Sequence, residues 1–387
     1  MDRGLLLMDE KNSLKTTKTS KGRNSSIELL RIILMMQIIF LHVSDYGDYA
    51  SNAIWIEGRT ELAFWFIWLL CRCPVYLFIV ITGYFMSGST QDFNGKRFLK
   101  CYLPMLFYSI SIPVLYGAAR PGTLTNIDYI KGFFPFLSRT WYFMTLYVLI
   151  LVLSPYLNRM VKGLSKKEFL ILIGICFFVF SIWQPFSQLE PFKQVVGISK
   201  IISTQKGKSL YDFIYMYLLG AFMRKYHFLN DSKNKNLRLN NPILYLGLFL
   251  ALGIIDVILV YNYPDNNIVK TIGYNDNPLV VLQCIMLFRF FEKLDLSKFE
   301  KLGTVINYIS VGNLGIYMIH EHPLIRNLIW NELVDMDNLE FYAKGHYFLK
   351  IFIIIIIIYA ACWTLDWIRR MIWKGIVIVY RKSANIE

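Results

Sequence analysis

Residues 27–46 read Ile27-Glu28-Leu29-Leu30-Arg31-Ile32-Ile33-Leu34-Met35-Met36-Gln37-Ile38-Ile39-Phe40-Leu41-His42-Val43-Ser44-Asp45-Tyr46. Between Arg31 and His42 every side chain but Gln37 is apolar. A helix apolar on all its faces is enclosed by protein or by lipid. Twenty residues at about 1.5 Å each cover about 30 Å, the thickness of a bilayer's hydrocarbon core. The stretch therefore reads as a membrane-crossing helix, in which Glu28, Arg31 and His42 are the exceptions to explain.

The same texture recurs along the chain. Apolar runs bounded by charge or turn residues lie near 61–86, 98–118, 141–158, 168–183, 210–224, 242–261, 278–291, 303–329 and 347–368. With the first run they make ten spans. The expected fold is an all-α polytopic membrane protein with its transmembrane domain at 27–368. Composition agrees, since 55 % of the 387 residues are apolar and only 18 % are charged. That balance excludes a soluble multidomain enzyme, a secreted enzyme and a disordered chain. Residues 1–26, rich in Lys, Thr and Ser, read as a cytoplasmic tail. Their one apolar stretch, Leu5 to Met8, is too short for a signal peptide. Residues 369–387 form a second cytoplasmic tail, where Arg369, Arg370 and Lys374 beside Ile and Val suggest a piece lying along the membrane surface.

The net charge of +14 would suggest nucleic acid in a soluble chain. Here it follows from topology, so no nucleic-acid partner is expected. With both termini cytoplasmic, the inner segments carry 27 of the 41 Lys and Arg and the outer ones 12, as the positive-inside rule requires. One outer loop departs from this pattern. Residues 184–209 carry Lys193, Lys200, Lys206 and Lys208, which either attract an anionic glycan or lipid headgroup or are simply solvated. The six cysteines sit in or beside apolar runs and read as free thiols. No phosphate loop, nucleophile elbow or zinc-binding helix is present, so any chemistry belongs to residues inside the helices or at their mouths.

Ionisable residues within spans are costly and are functional candidates by default. Arg31 and His42 are eleven residues apart, so they project within about 20° of each other and stand about 16 Å apart along the axis. Arg31 then lies near the cytoplasmic mouth and His42 in the outer half. Glu28, three residues before Arg31, is placed to pair with it and orient it. The bland alternative is a snorkelling arginine and a packed histidine. By depth, His42, Arg72, Asp256, His320 and Glu321 fall in a polar chamber open to the outside, where Pro323 can open the backbone. Arg31, Arg97 and Lys100 fall at an inner mouth. A competing reading has Arg72 and Asp256 pair as structural ions. No metal site is expected, because His320 and His322 point in different directions and no third ligand is evident.

These residues also carry a resemblance. Glu28-Leu-Leu-Arg31-x10-His42 resembles the Arg-x10-His first helix of the acyltransferase-3 family of integral-membrane acyltransferases. The stretch from Arg72 through Pro74 to Thr82-Gly83-Tyr84 is similar to that family's second helix, with Thr82 in place of Ser. Arg97-Phe-Leu-Lys100 before Pro104 resembles its Arg-x-x-Arg entry to helix three, with Lys as the second base. Trp141-Tyr142-Phe143 and Asn313-Leu-Gly-Ile-Tyr317-Met-Ile-His320 resemble weaker late motifs. The resemblance implies transfer of an acyl group, commonly acetyl, from cytoplasmic acyl-CoA to a hydroxyl of an extracytoplasmic surface polysaccharide or its lipid-linked precursor. Acyl-CoA is then a co-substrate and no cofactor is permanently bound; the expected location is a bacterial plasma membrane.

The residues fit such chemistry. Arg97, Lys100 and Arg31 offer cations to the phosphates of coenzyme A. His42 suits the task of general base, and Arg31 that of orienting the thioester or stabilising charge on its carbonyl oxygen. No Ser or Cys stands three or four residues from His42, which favours direct transfer. Two other classes remain open on sequence alone: a secondary transporter or polysaccharide exporter with a midplane polar path, and a non-catalytic scaffold for glycan assembly.

Overall fold

The computed structural model describes residues 23–46, 59–89, 93–187, 205–226, 241–334 and 346–383. Most of the expected N-terminal tail, and residues 188–204 of the basic loop, lie outside them. The described residues fold as helices without a strand, and seven helical stretches are long and apolar enough to cross a membrane. The protein is an all-α polytopic membrane protein.

Helix starts fall where side chains can satisfy the first free backbone amides. Asn24 accepts from the amides of Ser26 and Ile27 to start α1, Ser25–Tyr46. Asn94 caps α4, Gly95–Ala119. Capping boxes of Ser165 with Glu168 and Ser209 with Asp212 begin α7, Lys166–Phe177, and α9, Leu210–Lys225. Proline at the first helical position, where its missing N–H costs nothing, opens α3 (Pro74–Met86), α10 (Pro242–Asn262) and α11 (Pro278–Lys293).

The ten expected spans each contain a helix, the second split by a turn into α2 (Arg59–Leu70) and α3, with three further differences in form. Helix α9 and helix α11 have 16 residues each, about 24 Å, short of the bilayer core. Both are enclosed by protein: Phe213, Tyr217, Gly220 and Met223 of α9, and Val281, Cys284 and Phe288 of α11, are all buried. The expected span 303–329 is broken into α12 (Glu300–Ser310), α13 (Asn313–His320) and α14 (Pro323–Asn327). Glu321 and His322 occupy the break before Pro323. Third, the C-terminal amphipathic piece is not a separate surface helix. It continues α15, Tyr347–Ser383, because Asp366 pairs with Arg369 and Arg370 across the intended junction.

The core centres on α9, which packs along α3. Their backbones touch: a Cβ at Gly83 would overlap the carbonyl oxygen of Tyr217, and one at Gly220 that of Val80. Around this pair stand α1, α11 and α6 (Tyr142–Gly163), while α13 lies against α1 and α15. That arrangement brings the polar end of α1 to the break between α13 and α14. One helix was not expected: α5, Asn126–Phe133, folds back along α4, with Gly132 fitting against the backbone of Ser109.

Candidate active site

At the Glu28 end of α1, Glu28 is buried and accepts from Arg31 at 2.7 Å and from Arg23 at 3.3 Å. The two oxygens of one carboxylate thus serve two guanidinium groups. Arg31 and Arg97 both lie within electrostatic reach of Tyr147, which stands beside Thr82. A small polar cleft of about 30 Å³ holds Arg97 with Asn94, Ser154 and Asn158. Arg97 and Lys100 are exposed. The expected inner-mouth residues Arg31 and Arg97 thus act on one hydroxyl electrostatically, and Lys100 lies one helical turn beyond Arg97 on the exposed side of α4.

Eleven residues along α1, His42 meets the break between α13 and α14. Its Nδ1 lies 3.2 Å from Oε2 of Glu321, close but not aligned for a hydrogen bond. The other oxygen of Glu321 accepts from the Tyr46 hydroxyl at 2.7 Å and lies 3.4 Å from Arg326. Arg326 also donates to Tyr46 and stacks over its ring. His320, fully buried, packs its ring 5.2 Å from that of His42. Its Nδ1 sits 2.6 Å from the carbonyl oxygen of Ile316. A backbone carbonyl can only accept, so Nδ1 carries the proton and Nε2 is left as a buried acceptor without a partner. Two imidazoles and a carboxylate that is itself held by two donors thus form one acid–base cluster.

Between the two ends runs a column of rings. Tyr147 stacks on Phe143, Phe143 meets Tyr317, and Tyr317 meets His320. Trp141, at the start of α6, donates its indole N–H to the carbonyl oxygen of Met318 and faces the ring of His322. His322 accepts from the amide of Leu324 and so caps α14, turned away from His320.

Arg72 joins the outer cluster through charge. It stacks over Trp68 at 4.6 Å and interacts with Asp45 and Tyr142, and Tyr142 in turn senses Glu321. Asp256 does not belong there. It is buried between α10 and α11, where Gln283 donates to it at 2.7 Å. Both the chamber expectation for Asp256 and the Arg72–Asp256 pairing are corrected. Asp256 projects from α10 onto Gln283 of α11, while Arg72, in the turn before α3, faces Trp68, Asp45 and Tyr142.

The expectation that His320 lacks ligand partners also changes. His42, His320 and Glu321 place one potential metal-ligand atom each within 4.8 Å of one another. The third group comes from α1, far off in sequence, which is why local spacing missed it. A His–carboxylate contact of 3.2 Å is equally the geometry of a proton-transfer pair, the reading developed below. Sequence reasoning also missed Tyr46 and Arg326. Tyr46 carried a signal, being one helical turn beyond His42, whereas Tyr142 and Lys208 stood out only as part of a family motif and of a basic outer loop.

Residues 24–367 match the family model described as an acyltransferase domain, that of acyltransferase-3. The chain belongs to the acyltransferase-3 family. No curated protein and no solved structure matches it. The matched residues run from the cap of α1 into α15, and so include both the Arg31–Glu28 end and the His42–Glu321 end of this membrane acyltransferase.

Proposed function

We propose that the protein moves an acyl group, acetyl in the first instance, from acyl-CoA on the cytoplasmic side to a hydroxyl of an extracytoplasmic glycan or lipid-linked glycan. The observation that carries the reading is the contact of His42 with Glu321 beside His320, at the far end of the helix that holds Arg31 on Glu28. When the 3.2 Å contact aligns on substrate binding, Glu321, fixed through its other oxygen by Tyr46 and Arg326, holds the proton of His42 on Nδ1 and leaves Nε2 as the base. That base takes the proton of the acceptor hydroxyl, whose oxygen attacks the thioester carbonyl. The C–S bond breaks, coenzyme A leaves as the thiolate, and the proton taken by His42 is delivered to it to give the thiol. Arg31, oriented by Glu28, offers a fixed positive charge to the donor. Arg97 and Lys100 receive the donor's phosphates, and the column Tyr147–Phe143–Tyr317 flanks the route of its pantetheine arm. Both termini face the cytoplasm in this proposal, on the charge distribution of the loops, in a bacterial plasma membrane. No resident cofactor is required.

The test is mass spectrometry of surface polysaccharide from cells carrying the wild-type chain, His42→Ala or no gene. An added acyl mass that disappears in the variant, while the protein still accumulates in the membrane, is the expected outcome. Acylation that persists in His42→Ala removes the mechanism. Identical polysaccharide masses with and without the gene remove the glycan acceptor.

A further inference from the structure

Next to the His42–Glu321 centre lies an open cavity of about 260 Å³, lined by Arg139, Tyr142, Thr145, Gln205, Lys208 and Ser209 among others. Its lining contains two cations and no carboxylate. Lys208 sits over the ring of Tyr142 at 5.3 Å, and neither Lys208 nor Arg139 has an ion-pair partner among the described residues. The cavity adjoins the reacting end of the protein. Lys208 interacts with Glu321, Asp45 and Arg72, and Tyr142, its shared wall, senses the same three groups.

Two further observations point to a ligand here. Charge leans positive: Arg72, Lys208 and Arg326 interact with the centre against Asp45 and Glu321, Arg139 and Lys206 stand at the cavity, and the carboxylate of Asp212 is taken up by Ser209. Arg326 is already committed to Glu321. The backbone is also strained at this rim. Arg139, Gln205 and Lys206 hold φ values of 52°, 49° and 61°, leaving only His346 as another left-handed residue outside glycine among the described ones. Such strain in long side chains persists where surrounding structure enforces it, commonly at ligand clamps. Here it sets the loop carrying Lys208 against the start of α6.

We infer that this cavity is the subsite for an acidic sugar of the acceptor, one bearing a carboxylate or a phosphate, whose charge Arg139 and Lys208 receive while its ring lies on Tyr142. The cavity has the dimensions of a single sugar unit. Arg139 supplies a planar fork suited to either anion and Lys208 a point charge. Lys208, one of the outer-loop lysines that break the positive-inside pattern, then has a purpose beyond solvation. The inference rests on the proposed function for its acceptor, but its test reads binding as well as transfer.

The purified full chain, in nanodiscs, is titrated with three probes: methyl glucoside, methyl glucuronide and glucose 1-phosphate, with binding read by saturation-transfer NMR. The wild type is expected to prefer an acidic probe over the neutral one by at least about tenfold, the equivalent of one retained charge contact. Lys208→Gln and Arg139→Gln bring that preference toward one, and Lys208→Glu reverses it. Whichever acidic probe binds more tightly identifies the carboxylate or the phosphate as the group recognised. Equal binding of all three probes, or a preference unmoved by the three variants, overturns the inference. Charge-selective binding without any acyl transfer from acetyl-CoA would instead sustain the subsite and count against the proposed reaction.

Discussion

Replacing Glu321 by Gln tests the proton relay while changing almost nothing in shape. In the wild type one oxygen of Glu321 faces two donors, the Tyr46 hydroxyl at 2.7 Å and Arg326 at 3.4 Å. The amide oxygen of Gln must stay on that side, because an NH2 group there would meet two donors and leave all three unsatisfied. Its NH2 therefore turns toward His42 Nδ1, which lies 3.2 Å from the other position. Nδ1 must then accept, so the proton of a neutral His42 moves to Nε2. An imidazole already protonated there cannot take the acceptor's proton.

The size of the loss follows. General-base assistance contributes about 10²–10⁴-fold, and a wrong-tautomer substitution in a serine protease triad costs about 10⁴. The expected fall in kcat for Glu321→Gln is thus about 10²–10⁴-fold. Donor KM should hardly move, since Arg31 and its neighbours lie about 16 Å away along α1. The assay is the initial rate of transfer from labelled acyl-CoA to acceptor in proteoliposomes of the purified chain. Tyr46→Phe serves as a companion, expected to cost about tenfold or less because Arg326 still holds the carboxylate. A folded Glu321→Gln protein within about threefold of the wild-type rate would refute the tautomer argument outright.

Further outcomes follow from the same geometry. Arg31→Lys should lower transfer by about tenfold or more, because a point charge cannot both pair with Glu28 and present a planar fork to the donor; kinetics at saturating donor check it. Arg97→Gln with Lys100→Gln should raise donor KM several-fold and leave kcat nearly unchanged, the signature of lost uniform binding. Asp256→Asn should leave the rate within about twofold, since Asn still accepts from Gln283; a loss beyond tenfold would return Asp256 to the chamber. Gly220→Val should destabilise the α3–α9 contact by about 1–3 kcal/mol or more, read as a lowered melting temperature in detergent.

The membrane helices were legible because apolar runs of span length have few other uses, and their starts were marked by Asn, Ser and Pro. Within one helix the reading reached further. The fixed pitch of α1 placed Glu28 beside Arg31, where the structure has them in contact. What periodicity could not supply was the neighbour across a helix interface. His42 and Glu321 are 279 residues apart, and nothing local to either says that they meet. The same gap explains the C-terminus, where a change from lipid-like to amphipathic texture suggested a new element. Its stapling carboxylate, Asp366, also accepts from the Tyr108 hydroxyl of α4, a partner invisible in the run itself.

Asp256 shows most plainly which step of inference fails. Depth in the bilayer follows from position along a span, so a place toward the outer side was a fair expectation for it. Function depends on two further coordinates, the direction a side chain points and the identity of the helix it points at. For His42 the direction was recoverable, because Arg31 on the same helix provided a reference. Asp256 had no second polar residue on its span to define a face: its neighbours from Ile243 to Val260 are apolar or glycine but for Tyr245. A lone intramembrane carboxylate is therefore as consistent with a Gln partner on the adjacent helix as with a catalytic chamber. Two polar groups sharing one helix face carry information that one group, however deep, does not.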